Sequence, residues 1–178
     1  MYRIHYKHIF ILCFVALFIS CKQTKSESFP FPNEHYTNTT FPKPVGFIND
    51  FDSIFSEVEE TNLLRLVKEH EAKTSNQIAV VTINDLKDYD DIEKYSLDLA
   101  NYWGVGLKYK DNGVLITVHL KARKIWIQNG SGIEVKLTDA ETAYIIESKI
   151  IPEFKRNDYY KGIYRGIEAI IKELTKEE

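Results

Sequence analysis

Two apolar runs rich in β-branched residues, QIAVVTI at 77–83 and GVLITVHL at 113–120, leave this chain few folds to choose from. Runs of that length and composition read as buried strands. Between them Asp90 or Asp91 opens a helix that carries Ile92, Tyr95, Leu99 and Tyr102 at helical spacing and ends at Gly104. A strand–helix–strand unit crosses over right-handed and makes its two strands parallel. A third strand, KIWIQ at 124–128, follows after only Lys121-Ala122-Arg123, a connection that suits a hairpin.

Helices flank this core. Ser56 with Glu59 has the form of a capping box, and Leu63, Val67 and His70 follow on one face. Thr138 caps a helix bearing Ala143, Ile146 and Ile150, which Pro152 is expected to stop. A last helix from about Tyr159 to Leu174 buries Ile163, Ile167, Ile170 and Leu174. The expected fold is α/β, an α/β/α sandwich with a small mixed sheet flanked by helices. Trp103 and Trp126 are expected in its core, and one ring of Tyr159-Tyr160 outside it.

The first 20 residues stand apart from this domain. Arg3, His5, Lys7 and His8 precede an unbroken apolar run from Ile9 to Ile19. Spanning a bilayer takes ~20 apolar residues, so the run reads as a secretory signal at 1–20. Phe18-Ile19-Ser20-Cys21 resembles a bacterial lipobox, with Phe18 where Leu is usual, and makes Cys21 the lipidated first residue of the mature chain. Residues 21–44, polar and with four prolines, read as a flexible tether to a domain at 45–176. The sequon Asn38-Thr39-Thr40 carries little meaning on a bacterial lipoprotein. With Cys13 discarded and Cys21 acylated, no thiol remains for disulfides, metal or catalysis. Removing Arg3 and Lys7 from 23 basic residues against 26 acidic ones leaves a net of −5, and no basic tract favours nucleic acid.

Topology assigns the loops to two ends of the sheet. Residues 104–112 enter the second strand at the end called lower here, and the hairpin returns 129–137 to that end. Asp111, Glu134 and Asp139 therefore form one candidate site for a hard cation such as calcium, which takes several oxygens from loops. The competing reading is structural: Asp-Asn-Gly turns the chain because Asn and Gly tolerate positive φ, and Asp139 favours a helix N-terminus. At the upper end, Asp85, Asp88, Asp90 and Asp91 form a second possible cation cluster with Asp50, or a solvated face with an N-cap. Asp50 and Asp52 also have the form of a phosphatase nucleophile and acid, against the ordinary reading that they lead into the first helix. His70 and His119 read as core or edge residues, and Gly130-Ser131-Gly132 lacks nucleophile-elbow spacing.

In order, FINDFDSIFSEVEE, SNQIAVVTI, YWGVGLKYKDNGVLITV, KARKIWIQNGSGIE, LTDAE and NDYYKGI resemble the TPM domain over about residues 45–174. The resemblance implies a compact extracytoplasmic α/β/α domain, association with calcium and with an acid phosphatase activity, and assistance to membrane complexes. Ser131 stands where family members often have Tyr, and Val135 where Gly is common. Many bacterial members continue into a transmembrane helix and a glycine-rich tail, for which lipid on Cys21 would substitute.

The expected protein is a calcium-binding accessory module, held to the bacterial cell envelope by its lipid and facing an unknown envelope partner. Outer-membrane sorting is permitted by Lys22 after the lipidated cysteine. One alternative is a metal-assisted phosphomonoesterase with Asp111 and Glu134 on the cation and Lys136 on phosphate; another is a metal-free protein-binding module. Cys21→Ala is expected to abolish incorporation of labelled palmitate and to shift the protein from the membrane to the soluble fraction, whereas label retained by the variant would contradict lipidation at this residue.

Overall fold

The computed structural model describes residues 41–176, so the signal, Cys21, the sequon and most of the tether lie outside the described residues. Four strands form one sheet in the order β1-β2-β3-β4: β1 (Ile48–Asp50), β2 (Gln77–Ile83), β3 (Gly113–His119) and β4 (Lys124–Asn129). β1, β2 and β3 are mutually parallel, and β4 returns antiparallel to β3. All seven residues of β2 and of β3 are buried, as expected of strands covered on both faces. The sheet is thus mixed, and helices enclose it in an α/β/α sandwich.

α1 (Glu57–Thr74) starts at the Ser56/Glu59 capping box, buries Leu63, Val67 and His70, and ends with Ser75 in the left-handed region. α2 (Ile92–Trp103) is capped by Asp91, whose carboxylate accepts from the Lys94 N–H, and closes at Gly104 with φ 67°. α5 (Tyr159–Leu174) buries the apolar stripe Ile163, Ile167, Ile170 and Leu174. α1 packs on β1, β2 and α5, while α2 packs on β3 and β4. Among the described residues no helix is long and apolar enough to cross a membrane.

Several expectations need correction or refinement. Asp50 leads into α1 by accepting from the Phe55 N–H, but it also ends β1, a three-residue strand too short to show in a hydrophobic pattern. Pro152 does not stop the third helix. α3 (Asp139–Ile145) runs into a π-helical turn at Ile146–Ile150 and then α4 (Ile151–Phe154), with Pro152 in the first turn of α4, where its missing N–H costs little. Thr142, Ile145 and Ile150 are buried there, whereas Ala143 is exposed and Ile146 half-buried. Trp103 is fully buried, but Trp126 on the outer strand is only half so, and neither Tyr159 nor Tyr160 is exposed, each ring packing on a neighbour.

Packing begins before residue 45. Phe41, 5% exposed, lies among the rings of Tyr89, Tyr95 and Tyr102, and the Trp103 indole donates to the Pro42 carbonyl at 2.8 Å. At the far corner the buried Glu153 carboxylate meets Arg165, Lys161 and Arg156. Burial alone would raise its pKa, but Arg165 and Lys161 outweigh that and hold it below the usual range. Ile167→Ala is expected to cost about 2–5 kcal/mol in denaturant unfolding, because α5 cannot close over the lost methylenes. Val58→Ala, at a 70%-exposed position, should change stability by less than ~0.5 kcal/mol.

Candidate functional site

At the lower end three loops meet through amide side chains and close backbone contact. The Asn112 side chain accepts from the Leu107 N–H at 2.9 Å and donates to the Ser75 carbonyl at 2.8 Å and to Asn76 Oδ1 at 3.1 Å. Gln77 completes the tie by accepting from the Gly106 N–H at 2.8 Å. Asn112 is therefore a buried bracket between the α1–β2 turn and the loop before β3. The positive φ expected at Asn112 and Gly113 falls instead on Asp111, at 45°. Gly113 is required for a different reason: a Cβ there would sit 2.1 Å from the Val105 carbonyl oxygen.

The turn after β4 lies against the same loop. Added Cβ atoms on Gly130 and Gly132 would come within 2.2 Å of the Asp111 carbonyl oxygen and 1.8 Å of the Lys110 carbonyl oxygen. The Gly132 N–H donates to Asp111 O at 3.1 Å, and the Ser131 hydroxyl donates to Asp111 Oδ2 at 3.1 Å. The expected convergence of KDNG and NGSGIE is present. Asp111, Ser131 and Glu134 line one cleft of about 330 Å³. Glu134 and Asp139 line the neighbouring one, of about 390 Å³. Asp139 thus stands beyond the Asp111 cleft, and among the described residues no three His, Cys, Asp or Glu side chains gather as a metal-holding group. Ser131 is the polar group that sequence reading missed as a contributor, because it registered only as a family departure.

The upper-end acids divide between two sorts of work. Asp50 accepts from the Phe55 N–H at 2.7 Å and from the Thr82 hydroxyl at 2.6 Å, which fixes the chain between β1 and α1. Asp85 accepts from the Lys87 N–H at 2.8 Å, and these backbone and side-chain bonds hold its carboxyl below the usual range. Asp91 is the α2 cap, and Asp88 and Asp90 are exposed. These five are not gathered around a common point. Asp52, with Oδ2 buried and without a hydrogen-bond partner among the described residues, is pushed up by burial and by Asp50, with His119 pulling the other way. His119, 8% exposed, makes no hydrogen bond through either ring nitrogen among the described residues and lines an open depression of about 740 Å³ with Asn84, Asp85 and Lys121. His70 instead contacts the Thr74 hydroxyl at 3.3 Å, and burial followed by the Lys73 charge lowers its pKa.

A raised carboxyl favours folding at low pH, and that contribution is lost as pH rises through the folded pKa. Asp52→Asn is therefore expected to raise the thermal midpoint at neutral pH. The gain should shrink on acidification and vanish below the ordinary aspartate value of 3.8. A midpoint shift independent of pH would contradict this origin.

Comparison with known proteins agrees with this architecture. The model of the TPM domain matches residues 48–173. The solution NMR structure of the N-terminal domain of a protein from P. gingivalis is 28% identical and superposes with a TM-score of 0.66, the match covering 72% of this chain and 81% of that one. The BA42 protein of the psychrophilic bacterium Bizionia argentinensis is 22% identical, with a TM-score of 0.61 over 70% of this chain and 83% of its own. An N-terminal domain from Corynebacterium glutamicum shares the fold at 17% identity and a TM-score of 0.58, covering 82% and 93%. No curated protein matches the chain in sequence. The chain belongs to the TPM-domain family.

Proposed function

We propose that this protein is a lipid-anchored module of the bacterial cell envelope that binds calcium at the lower end and supports a membrane-associated complex. The observation that carries the calcium reading is the pairing of Asp111 with Ser131 over the glycine turn, with Glu134 lining the same cleft. Calcium accepts carboxylate, hydroxyl, carbonyl and water oxygens together, so two carboxylates are enough for a weak site with water completing the shell. Asp139 joins only if the loop moves, and the upper-end acids are committed to backbone donors or to solvent.

Binding is favoured over phosphoryl transfer because none of the described residues lining the Asp111 cleft is Lys or Arg. A phosphomonoesterase would need such a cation beside the metal to hold the phosphate charge. The accessory role rests on the family membership and on the lipid expected at Cys21.

A calcium titration followed by amide NMR tests the site. Saturation on the order of 10⁻⁴–10⁻³ M is expected, the range of weak extracellular modules, with shifts centred on residues 111–113 and 130–134. Asp111→Asn should weaken binding by about tenfold or more, equivalent to ~1.4 kcal/mol, and leave the strand resonances in place. Shifts centred on Asp50, Asp52 and Asp85, or no saturation at millimolar calcium, would overturn the assignment.

A further inference from the structure

β4 is an outer strand, paired on one side only. Its register and the bond from the Gly130 N–H to the Gly113 carbonyl fix which of its backbone groups face β3. In an antiparallel ladder hydrogen-bonded pairs alternate with non-bonded ones. Lys124, Trp126 and Gln128 therefore point their N–H and C=O groups at β3, and Ile125, Ile127 and Asn129 point theirs away from it. The Asn129 carbonyl accepts from the Gln128 side chain at 3.0 Å. The outward groups of Ile125 and Ile127 have no partner among the described residues. Unpaired donors and acceptors on a strand edge are a template for another strand.

This edge lies in a groove rather than on an open face. Two adjoining clefts, of about 710 and 390 Å³, together include every residue of β4 and share Ile146. Ile146 begins the π-helical turn, and such turns occur often at functional sites. The larger cleft is lined by apolar side chains, among them Ile92, Ile125, Ile151 and Phe154, and by His119, whose ring makes no hydrogen bond among the described residues.

The two ends of the groove differ in charge. Arg123, Lys124 and Lys155 stand at the end where β4 begins, without an ion-pair partner among the described residues. Glu93, Glu134 and Asp139 stand at the end where it finishes. On a chain of net charge −3, three free cations beside an apolar cleft mark where negative charge is received. A strand laid antiparallel to β4 would bring its N-terminal, positive end to the acids and its C-terminal, negative end to the cations.

We propose that β4 accepts an extended segment of a partner protein as a fifth, antiparallel strand. Apolar side chains of that segment enter the cleft beside the π-helical turn, and a C-terminal carboxylate or acidic side chain meets Arg123, Lys124 and Lys155. Main-chain bonds to Ile125 and Ile127 supply affinity, and the charge at each end sets the direction. The groove shares Glu134 with the calcium cleft at its acidic end and would give the accessory role a physical mode of attachment.

The free peptide KVTVTVE is the probe, added to the folded protein and followed by amide NMR and hydrogen exchange. Saturable binding is expected to slow exchange at Ile125, Ile127 and Asn129, and to leave the β3-facing amides of Lys124, Trp126 and Gln128 unchanged. Ile125→Pro removes an outward N–H that the sheet does not use, so it should fold and lose binding. The pair Arg123→Glu and Lys155→Glu should weaken binding by about tenfold without touching the strand, which decides the matter if the proline variant does not fold. No binding, shifts confined to 146–159 without protection on β4, or a folded Ile125→Pro that binds like the parent would overturn the proposal.

Discussion

The close approach of Gly130 and Gly132 to the carbonyls of Lys110 and Asp111 is the contact on which the lower end depends. There is no room for a side chain at either position, so the turn after β4 lies directly on the loop before β3. That contact places Ser131 within hydrogen-bonding distance of Asp111 and turns Glu134 toward the same cleft. Asn112 then fixes the composite to the α1–β2 turn through Ser75 and Asn76. Acid, amide and glycine in DNG thus do three different things: Asp111 presents a carboxylate from a left-handed backbone, Asn112 bridges loops, and Gly113 lets Val105 approach.

The two ends of the sheet use carboxylates differently. At the upper end Asp50 is consumed by the backbone and by Thr82, and Asp52 is destabilised as an anion by burial and by Asp50. These acids help define how β1 leads into α1. At the lower end Asp111 and Glu134 are exposed and lean on few protein donors, which leaves oxygens available to a cation. The outer strand differs from both ends in having unpaired main-chain groups among the described residues and opposed charge at its two ends.

Much of this was legible in the chain because it depends on local chemistry. Ser56/Glu59 writes one helix start as a capping box and Thr138 marks another as its cap; both form, the second with Glu141 completing a box as well. The crossover rule alone makes β2 and β3 parallel, and hairpin length makes β4 antiparallel. What was hidden depends on contacts distant in sequence. β1 has three residues and is a strand only because β2 pairs with it. The helix passing Pro152 survives through a π-helical turn that no hydrophobic period announces. Loop convergence followed from topology, but the separation of Asp139 from Asp111 depends on loop conformation, which periodicity does not encode.

The most direct measurement is the calcium response of Gly132→Ala, read by amide NMR beside the parent. A methyl group there meets the Lys110 carbonyl oxygen, so the two loops must part. The β2–β3–β4 resonances are expected to stay in place, while Asp111 and Ser131 shift and the calcium response collapses. An unchanged response, with residues 110–112 undisturbed, would contradict the claim that glycine packing between these loops builds the site.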